Sequence, residues 1–376
     1  MSERDGSIDP DVAKKLLREG ATLVFLDIPP GSEFGMDMVP HNTGEKFKGI
    51  KLIPPGLHFV FYSTVNSDGA TAPRTGFFHY FQRGEVLVKK WDRVAEDIQQ
   101  EEVPPEEVEQ FRSHLEGDLD RFLGVYAYHD WRRWISLTKH ISEDVLNRLQ
   151  PESGKIYSAT PFEPLHFVSE RSRQREAPAG DMKFDSIDLK EAAGTTVRYT
   201  CFPKHKYPDN ASPAEITHHS IDSTYLLETL LTACQEDDGL LGELQFAFVC
   251  FLVGHSYSSF EQWQKIIRVL CTSGDAVPSR VDLYDSLLSV LYFQLREIPS
   301  DFFVDIVSRE NFLTVTLSEL FRNIAEASMK NIDPELESLK KKALRFKGSI
   351  GKLFGWSFDE EPDDEHPVVV NLAEQN

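Results

Sequence analysis

The fold is decided by residues 240–272, which read LLGELQFAFVCFLVGHSYSSFEQWQKIIRVLCT. Residues 246–253 are apolar on every side, and a helix without a polar face has to be buried. The run is too short to span a bilayer, which takes about 20 apolar residues. After Gly254, apolar residues such as Trp263 and Ile267 recur at helical spacing with polar residues between them. The stretch therefore predicts a buried central helix and an amphipathic partner helix that meet near Gly254.

The length, charge and composition of the chain limit the classes of protein to which it can belong. A length of 376 residues favours two domains. The formal net charge of −21 argues against direct binding to a nucleic-acid backbone and favours basic protein partners. We see neither a charged-then-apolar leader nor a long apolar span, so we expect neither secretion nor membrane insertion. Four isolated cysteines predict buried thiols in a reducing compartment; they are Cys201, Cys234, Cys250 and Cys271.

Residues 20–92 are rich in strand signals. Apolar and aromatic residues occupy both alternating sets of residues 57–62, which predicts a strand covered on both faces. Residues 76–81 and 85–91 read as two more strands, with Gln82-Arg83-Gly84 as a short hairpin loop between them. This region is therefore predicted to be a small sandwich or barrel of antiparallel strands.

Helical signals flank these strands, at residues 10–20 and between Pro104 and Pro151, and complete a predicted N-terminal domain over residues 1–165. Residues 166–206 carry a dense charge cluster that cannot bury much apolar area, which predicts a mobile linker. Within it, residues 195–202 read as a short strand.

The second half of the chain is predicted to be an all-α domain over residues 207–356. Ser212, Pro213 and Glu215 form the pattern of a capping box that opens a helix. Further helices are predicted in order, and no convincing strand signal lies between residues 212 and 350. They are the central pair, residues 281–295, residues 302–329 and a last helix capped by Asp333-Pro334.

The end of the chain, residues 357–376, reads as an acidic tail with a terminal strand. It follows a predicted basic helical face, whose residues are Lys340, Lys341, Lys342, Arg345, Lys347 and Lys352. The strand-like residues are Val368, Val369, Val370, Asn371 and Leu372. Three interpretations are open: the segment is frayed, it docks back on its own domain, or it adds a strand to the sheet edge of another protein. The last two are about equally favoured.

A search for catalytic chemistry finds no recognised motif. The sequence has no phosphate-binding loop, dinucleotide fingerprint, zinc-protease motif or nucleophile elbow. His218 and His219 are adjacent and point about 100° apart on a helix, so a surface or capping role is favoured over a shared metal site. His58 and His79 lie on predicted strands, where a satisfied or half-buried histidine is the ordinary interpretation. We therefore expect no catalytic, cofactor-binding or metal-binding residues.

Several longer stretches resemble one family, the a1-alpha2 repression proteins, which are spliceosome factors that chaperone assembly of the U5 small nuclear ribonucleoprotein. The resemblance covers nearly the whole chain in order and weakens across residues 166–206. The stretches are GEKFKGIKLIPPGLHF at residues 44–59, WISLT at 134–138, PAEIT at 213–217, GELQFAFVCFL at 242–252, EIPSDFFVDIVS at 297–308 and PVVVNL at 367–372.

The resemblance implies an α+β protein with a β-rich N-terminal domain, a helical C-terminal domain and a strand-forming tail. It implies no enzymatic activity and no cofactor. The implied partner is the large scaffold protein of the U5 particle, bound through its RNase H-like and MPN domains until a helicase replaces the chaperone. The implied location is the cytoplasm and nucleus. The tail strand at Val368–Leu372 would then add to a sheet of the partner.

Two alternatives come from other classes of protein. One is an enzyme with an unrecognised site around His58 and His79 in the β-rich domain, which predicts a deep pocket with perturbed titratable residues. The other is a direct RNA-binding protein that uses the basic C-terminal helix, which predicts strongly salt-dependent affinity for RNA.

Overall fold

The computed structural model describes residues 10–65, 71–99, 101–115, 117–159, 162–164, 189–235, 237–299 and 312–358. They fall into two units, of which the first holds residues up to Tyr199 together with Phe246–Phe260. The second holds Thr200–Gln245 and the residues from Glu261 onward. The first unit is β-rich and the second is helical, which confirms the predicted α+β fold. No helix in the described part of the chain is long and apolar enough to cross a membrane.

Twelve strands lie among the described residues of the first unit. They are β1 (Ala21–Leu26), β2 (Glu33–Met36), β3 (Val39–Asn42), β4 (Gly49–Ile53), β5 (Gly56–Ser63), β6 (Thr75–Phe81), β7 (Val86–Asp92), β8 (Asp97–Ile98), β9 (Leu123–Val125), β10 (Ile156–Tyr157), β11 (Phe162–Pro164) and β12 (Leu189–Glu191). Helix α1 (Pro10–Glu19) precedes the first strand. The helices between later strands are α2 (Pro105–His114), α3 (Trp131–Thr138) and α4 (Glu143–Leu149).

Seven further helices follow in the described part of the second half. They are α5 (Pro213–Ile221), α6 (Thr224–Ala233), α7 (Asp237–Leu252), α8 (Tyr257–Thr272), α9 (Val281–Glu297), α10 (Phe312–Lys330) and α11 (Pro334–Phe354). The predicted helix pair is confirmed as α7 and α8, and each of the two contributes residues to both units. Gly254 follows α7 by two residues, and a Cβ atom there would lie 2.5 Å from the carbonyl oxygen of Cys250, so a glycine permits this close approach.

Two five-stranded sheets share one apolar core in the first unit. Their strand orders are β8-β7-β1-β4-β9 and β10-β6-β5-β2-β3. The ring centroids of Phe25 and Phe34, which belong to different sheets, lie 5.3 Å apart, and those of Tyr62 and Trp91 lie 5.6 Å apart. The second sheet is antiparallel as predicted, whereas the first is mixed, because β1 pairs with β7 and β4 with β9 in parallel.

The predicted hairpin of β6 and β7 is wrong. β6 pairs with β5 and β10 in the second sheet, and β7 pairs with β1 and β8 in the first. The loop at Gln82–Gly84 therefore carries the chain from one sheet to the other, and Thr22 donates a hydrogen bond of 2.8 Å to the carbonyl oxygen of Glu85. A short polar loop suits a corner between sheets as well as a hairpin, so its sequence does not identify the partner strand.

β5 is covered on both faces, as its sequence predicts. One face contributes to the core between the sheets. On the other face, Phe246 stacks on Phe78 of β6 at a centroid distance of 5.0 Å. The indole Nε1 of Trp134 also donates a hydrogen bond of 2.6 Å to the carbonyl oxygen of Leu57. β5 has apolar residues on both faces because Phe246 and Trp134 belong to a second layer that covers the outer face of the sheet.

The strand predicted at residues 195–202 is wrong, because no strand includes these residues. Their backbone groups are satisfied individually: Arg198 donates a hydrogen bond of 2.9 Å to the carbonyl oxygen of Leu149. Thr200 donates one of 2.9 Å to the buried carboxylate of Glu243. The β-branched residues were compatible with a strand, but no partner strand lies alongside them. Residues 166–188 of the predicted linker lie outside the described residues.

The helix-capping predictions for the second unit are confirmed. Ser212 and Glu215 form a reciprocal capping box at the start of α5, and the Asp333 side chain caps α11. Between these caps the described residues contain only helices and short turns, with no strand. The described part of the helix predicted at residues 302–329 is α10, which spans Phe312–Lys330. Residues 300–311 lie outside the described part of the chain. The core includes Trp263, whose Nε1 donates to Gln294 at 2.9 Å.

Candidate protein-binding surfaces

The predicted partner-binding residues lie outside the described part of the chain. They are Val368, Val369, Val370, Asn371 and Leu372. The last described residue is Phe358, so its surroundings define the point from which the tail departs. The surfaces beside α11 are therefore the structural context for the tail.

The chain reverses direction after α11. Gly355 adopts the left-handed conformation with a φ of 71°, which ends the helix. Trp356 then stacks on Phe354 at a centroid distance of 4.5 Å. Phe358 packs edge-on against Phe321 of α10 at 5.3 Å. This aromatic closure sends the chain back along α11 instead of away from it.

A groove lies where the reversed segment runs beside α11, and we call it the return groove. Its volume is about 590 Å³. A Cβ atom on Gly351 would lie 3.1 Å from the carbonyl oxygen of Trp356, so a glycine here permits the close approach of the two backbones. The groove is lined by Leu344, Lys347, Gly348, Gly351, Gly355, Trp356, Ser357 and Phe358.

The basic residues of α11 do not form one face, contrary to the sequence interpretation. At about 100° per residue, the six from Lys340 to Lys352 cover an arc of about 220°. Lys342 points toward α9, where its Nζ lies 2.6 Å from Asp285 Oδ2. Lys340 and Lys347 lie on the side of the return groove, because they are four residues before and three after Leu344.

A second groove runs between α9 and α11, on the other side of α11. Its volume is about 430 Å³, and we call it the α9–α11 groove. The floor is apolar and aromatic, with Tyr292, Phe293 and Phe346, and the basic side chains of Lys342 and Arg345 lie at its border. The Phe293 side chain is partly open to solvent. Such a lining is able to hold an apolar peptide that also carries acidic side chains.

The candidate catalytic histidine His58 is enclosed and fully hydrogen-bonded. Its side chain is 1% exposed, its Nδ1 lies 2.7 Å from Asp37 Oδ2, and its Nε2 lies 2.7 Å from the carbonyl oxygen of Pro54. The Asp37 carboxylate also accepts hydrogen bonds from the Phe59 amide at 2.9 Å and the Tyr126 hydroxyl at 2.6 Å. Because the Pro54 oxygen only accepts, His58 donates through Nε2, and its other ring nitrogen, Nδ1, is occupied by the contact with Asp37.

In this network, Tyr126 keeps its phenol proton mainly because its side chain is buried. Burial, and secondly the Asp37 carboxylate, raise the pKa of Tyr126 far above its ordinary value, so the phenol stays protonated and donates. The network holds β5, the turn before β3 and the segment after β9 together. It leaves no nitrogen of His58 to act on a substrate, so it is a structural hydrogen-bond network.

The other candidate histidines, His79, His218 and His219, lie at or near the surface and contact neighbouring side chains. His79 is opposite His58 in the β5–β6 register, and its Nε2 lies 2.8 Å from Glu85 Oε1. His218 and His219 lie in the last turn of α5, with His218 Nε2 at 3.3 Å from Asp275 Oδ2. Within the described residues, no group of three or more potential ligands is placed to hold a metal ion.

Burial also makes the thiols of the α7–α8 pair unreactive. It raises the pKa of the Cys250 thiol well above its ordinary value, and it raises the pKa of Cys271 as well. Both side chains are fully buried, as is Cys234, whereas Cys201 is exposed. The predicted burial is therefore confirmed for three of the four cysteines.

Sequence reasoning missed the role of Arg74 in the first unit. Its Nη1 donates a hydrogen bond of 2.7 Å to the carbonyl oxygen of Val253, and its Nη2 lies 2.7 Å from Glu33 Oε1. Its guanidinium group also lies 4.2 Å from the centroid of the Phe61 ring. Arg74 thereby fixes the α7–α8 tip, residues 246–260, on the second sheet. The sequence hints at this role only in that Arg74 lies just before a predicted strand of the apolar region.

Comparison with known proteins identifies the family. The model of the AAR2 N-terminal domain matches residues 19–151, and the model of the AAR2 C-terminal repeat region matches residues 199–359. The mouse (Mus musculus) Protein AAR2 homolog is 42% identical, over 98% of this chain and 97% of its own length. The Caenorhabditis elegans Protein AAR2 homolog is 38% identical, over 94% and 99%.

A more distant relative carries a functional name. The A1 cistron-splicing factor AAR2 of Saccharomyces cerevisiae is 21% identical, over 93% of this chain and 97% of its own length. The a1-alpha2 repression family, which the sequence motifs indicated, is the same family under another name. With both family regions matched in order and relatives aligned along nearly the whole length, this chain belongs to the AAR2 family.

Proposed function

We propose that this chain is a pre-mRNA splicing factor that acts as an assembly chaperone of the U5 small nuclear ribonucleoprotein. The observation that carries the proposal is the alignment of the chain, over 93% of its length, with a relative named as a splicing factor. Relatives at about twice that identity align over 98% of the chain, so the similarity extends beyond one shared domain.

The proposed partner is the large scaffold protein of the U5 particle, bound through its RNase H-like and MPN domains. The chaperone occupies these surfaces in the precursor particle and blocks premature binding of the helicase. We assign this work to the cytoplasm and nucleus, where the particle is assembled and used. The formal net charge of −21 favours basic patches on the partner, because opposite charges accelerate association.

The proposed mechanism is masking of a surface without chemistry. The enclosed state of His58 supports this mechanism, because both of its ring nitrogens are committed to Asp37 and Pro54. The enzyme hypothesis depended on an accessible histidine in the β-rich domain, and this geometry removes its main motive. Direct binding of RNA through α11 is also disfavoured, because Lys342 is paired with Asp285 and the chain carries a formal net charge of −21.

The proposed principal contact is β-augmentation by the tail. Val368, Val369, Val370, Asn371 and Leu372 would add as a strand to a sheet of the partner. Main-chain hydrogen bonds then supply affinity, and pockets for alternate side chains supply specificity. A β-branched run next to six acidic residues is soluble without a partner and still suited to pairing with a strand.

The proposal is tested by titrating the intact chain with the purified RNase H-like and MPN domains, followed by a competition with the helicase. We expect a stoichiometric complex that excludes the helicase until the chaperone is removed. A single-stranded RNA is the control ligand and is expected to be retained only weakly at low salt. Binding of RNA but not of either domain would contradict the proposal, as would a stable ternary complex with the helicase.

A further inference from the structure

The described chain ends while heading back toward the N-terminal half of α11. Phe358 contacts Phe321, whose ring centroid lies 5.9 Å from that of Phe346, two turns before the end of α11. Trp356, Ser357 and Phe358 line the return groove together with Leu344. The next residues therefore start beside the middle of the helix, and not beyond its end.

The residues that follow have the charge and length to reach the lysines on this side. Residues 359–365 read DEEPDDE, with six carboxylates and no base. Seven extended residues span up to about 24 Å, whereas Lys340 lies only about 6 Å along the axis from Leu344. Lys347 lines the return groove, and Lys341 lies three residues before Leu344 on the neighbouring side.

The charge of the rest of the molecule favours the same destination. The chain has 61 acidic against 40 basic residues, and six of the acids are those of residues 359–365, so the rest of the chain also has a negative net charge and on average repels this segment. The α11 helix contributes six of those bases within residues 340–352. Opposite charges on a tethered segment have a high effective concentration, so even weak individual pairs favour docking.

We propose that residues 359–365 dock back along α11, across the return groove and against Lys340, Lys341 and Lys347, when the chain is alone. The acidic segment thereby covers the lysines on the return-groove side of its own helix. This contact is intramolecular and goes beyond the proposed function, because it does not depend on the identity of any partner.

The test is zero-length carbodiimide cross-linking of the intact chain, with the products located by mass spectrometry. We expect amide links from carboxylates of residues 359–365 to Lys340, Lys341 or Lys347. Their yield should fall about tenfold between about 0.05 M and about 0.5 M salt, because the Debye length shrinks over this range. Links spread evenly over the lysines of both units would overturn the proposal.

Matched variants separate charge pairing from mere proximity. The double variant Lys340→Glu and Lys341→Glu should strongly reduce binding of a synthetic peptide of residues 359–376 to a chain that ends at Phe358. The control double variant Lys14→Glu and Lys15→Glu changes the same charge on the exposed face of α1 and should leave that binding unchanged. Equal effects of both double variants would mean that only net charge matters, and would overturn the proposal.

Discussion

Arg74 donates a hydrogen bond of 2.7 Å to the backbone carbonyl of Val253, a residue 179 positions later in the chain. The carbonyl lies at the end of α7, and the arginine lies immediately before β6. Because the same guanidinium also pairs with Glu33, one side chain joins two strands of the second sheet to the α7–α8 tip. The β-rich unit is therefore completed by a segment from the helical half of the sequence.

Replacing Arg74 by alanine should destabilise the first unit. The substitution leaves the Val253 carbonyl and the Glu33 carboxylate without their donor, which should lower the free energy of unfolding by about 2–4 kcal/mol. The measurement is denaturant unfolding followed by tryptophan fluorescence. The control is Arg83→Ala, whose side chain is 74% exposed and should matter by less than about 0.5 kcal/mol. Equal effects would contradict the role given to Arg74.

His255 at the α7–α8 tip should make the first unit less stable in mild acid. Burial, the Arg74 guanidinium next to it and, in the opposite direction, Glu33 combine to hold the pKa of His255 below its ordinary value of 6.5. The unfolded state therefore takes up the proton first as the pH falls through 6.5. Stability that is present above this pH is lost below it, until the folded pKa is reached.

The contribution of His255 is isolated by His255→Asn. His255 has a φ of 57°, and asparagine tolerates this left-handed conformation. We expect the variant to lose less stability than the natural chain between about pH 7.5 and about pH 5.5, as measured by urea unfolding. An equal or larger loss in the variant would show that His255 does not carry this pH dependence.

The buried pair of Asp37 and His58 should be costly to break. Asp37→Asn keeps the shape and tolerates the φ of 57° at this position, but it removes the negative charge that faces three donors. We expect a loss of about 3–5 kcal/mol in the free energy of unfolding. Tyr126→Phe removes a single hydrogen bond to the same carboxylate and should cost about 1.5–3 kcal/mol. A reversed order would contradict the role given to the Asp37 carboxylate.

The sequence predicts structure well where the partner lies within a few residues. Ser212 and Glu215 satisfy each other across one helical turn, so their pattern is enough to place the start of α5. The same holds for the Asp333 cap of α11, in which the Asp333 side chain accepts a hydrogen bond of 2.9 Å from the Glu335 amide. Such contacts depend on local spacing, which is visible in a single sequence.

Prediction fails where the partner is remote along the chain. β7 pairs in parallel with β1, more than sixty residues earlier. The alternation of apolar and polar residues in β7 does not show which strand it pairs with. The contact of Arg74 with Val253 and that of His58 with Asp37 are likewise set by the assembled fold. For the candidate site, the motifs identify the family, while the role of the five tail residues stays a prediction.

Proline substitution in the tail strand tests whether this strand binds the partner. The RNase H-like and MPN domains are titrated against the intact chain, a chain ending at Phe358, and the variants Val369→Pro and Val370→Pro. Val369→Thr, which keeps the backbone N–H and the β-branched shape, is the matched control. Ending at Phe358 retains the aromatic closure against Phe321, so the folded units stay complete.

In this titration, truncation and at least one proline variant should weaken binding by about tenfold or more, since several main-chain hydrogen bonds of about 1 kcal/mol each are lost. Val369→Thr should bind like the intact chain. Affinities that are unchanged by truncation and by both prolines would contradict the account and would locate the interface on the folded units instead.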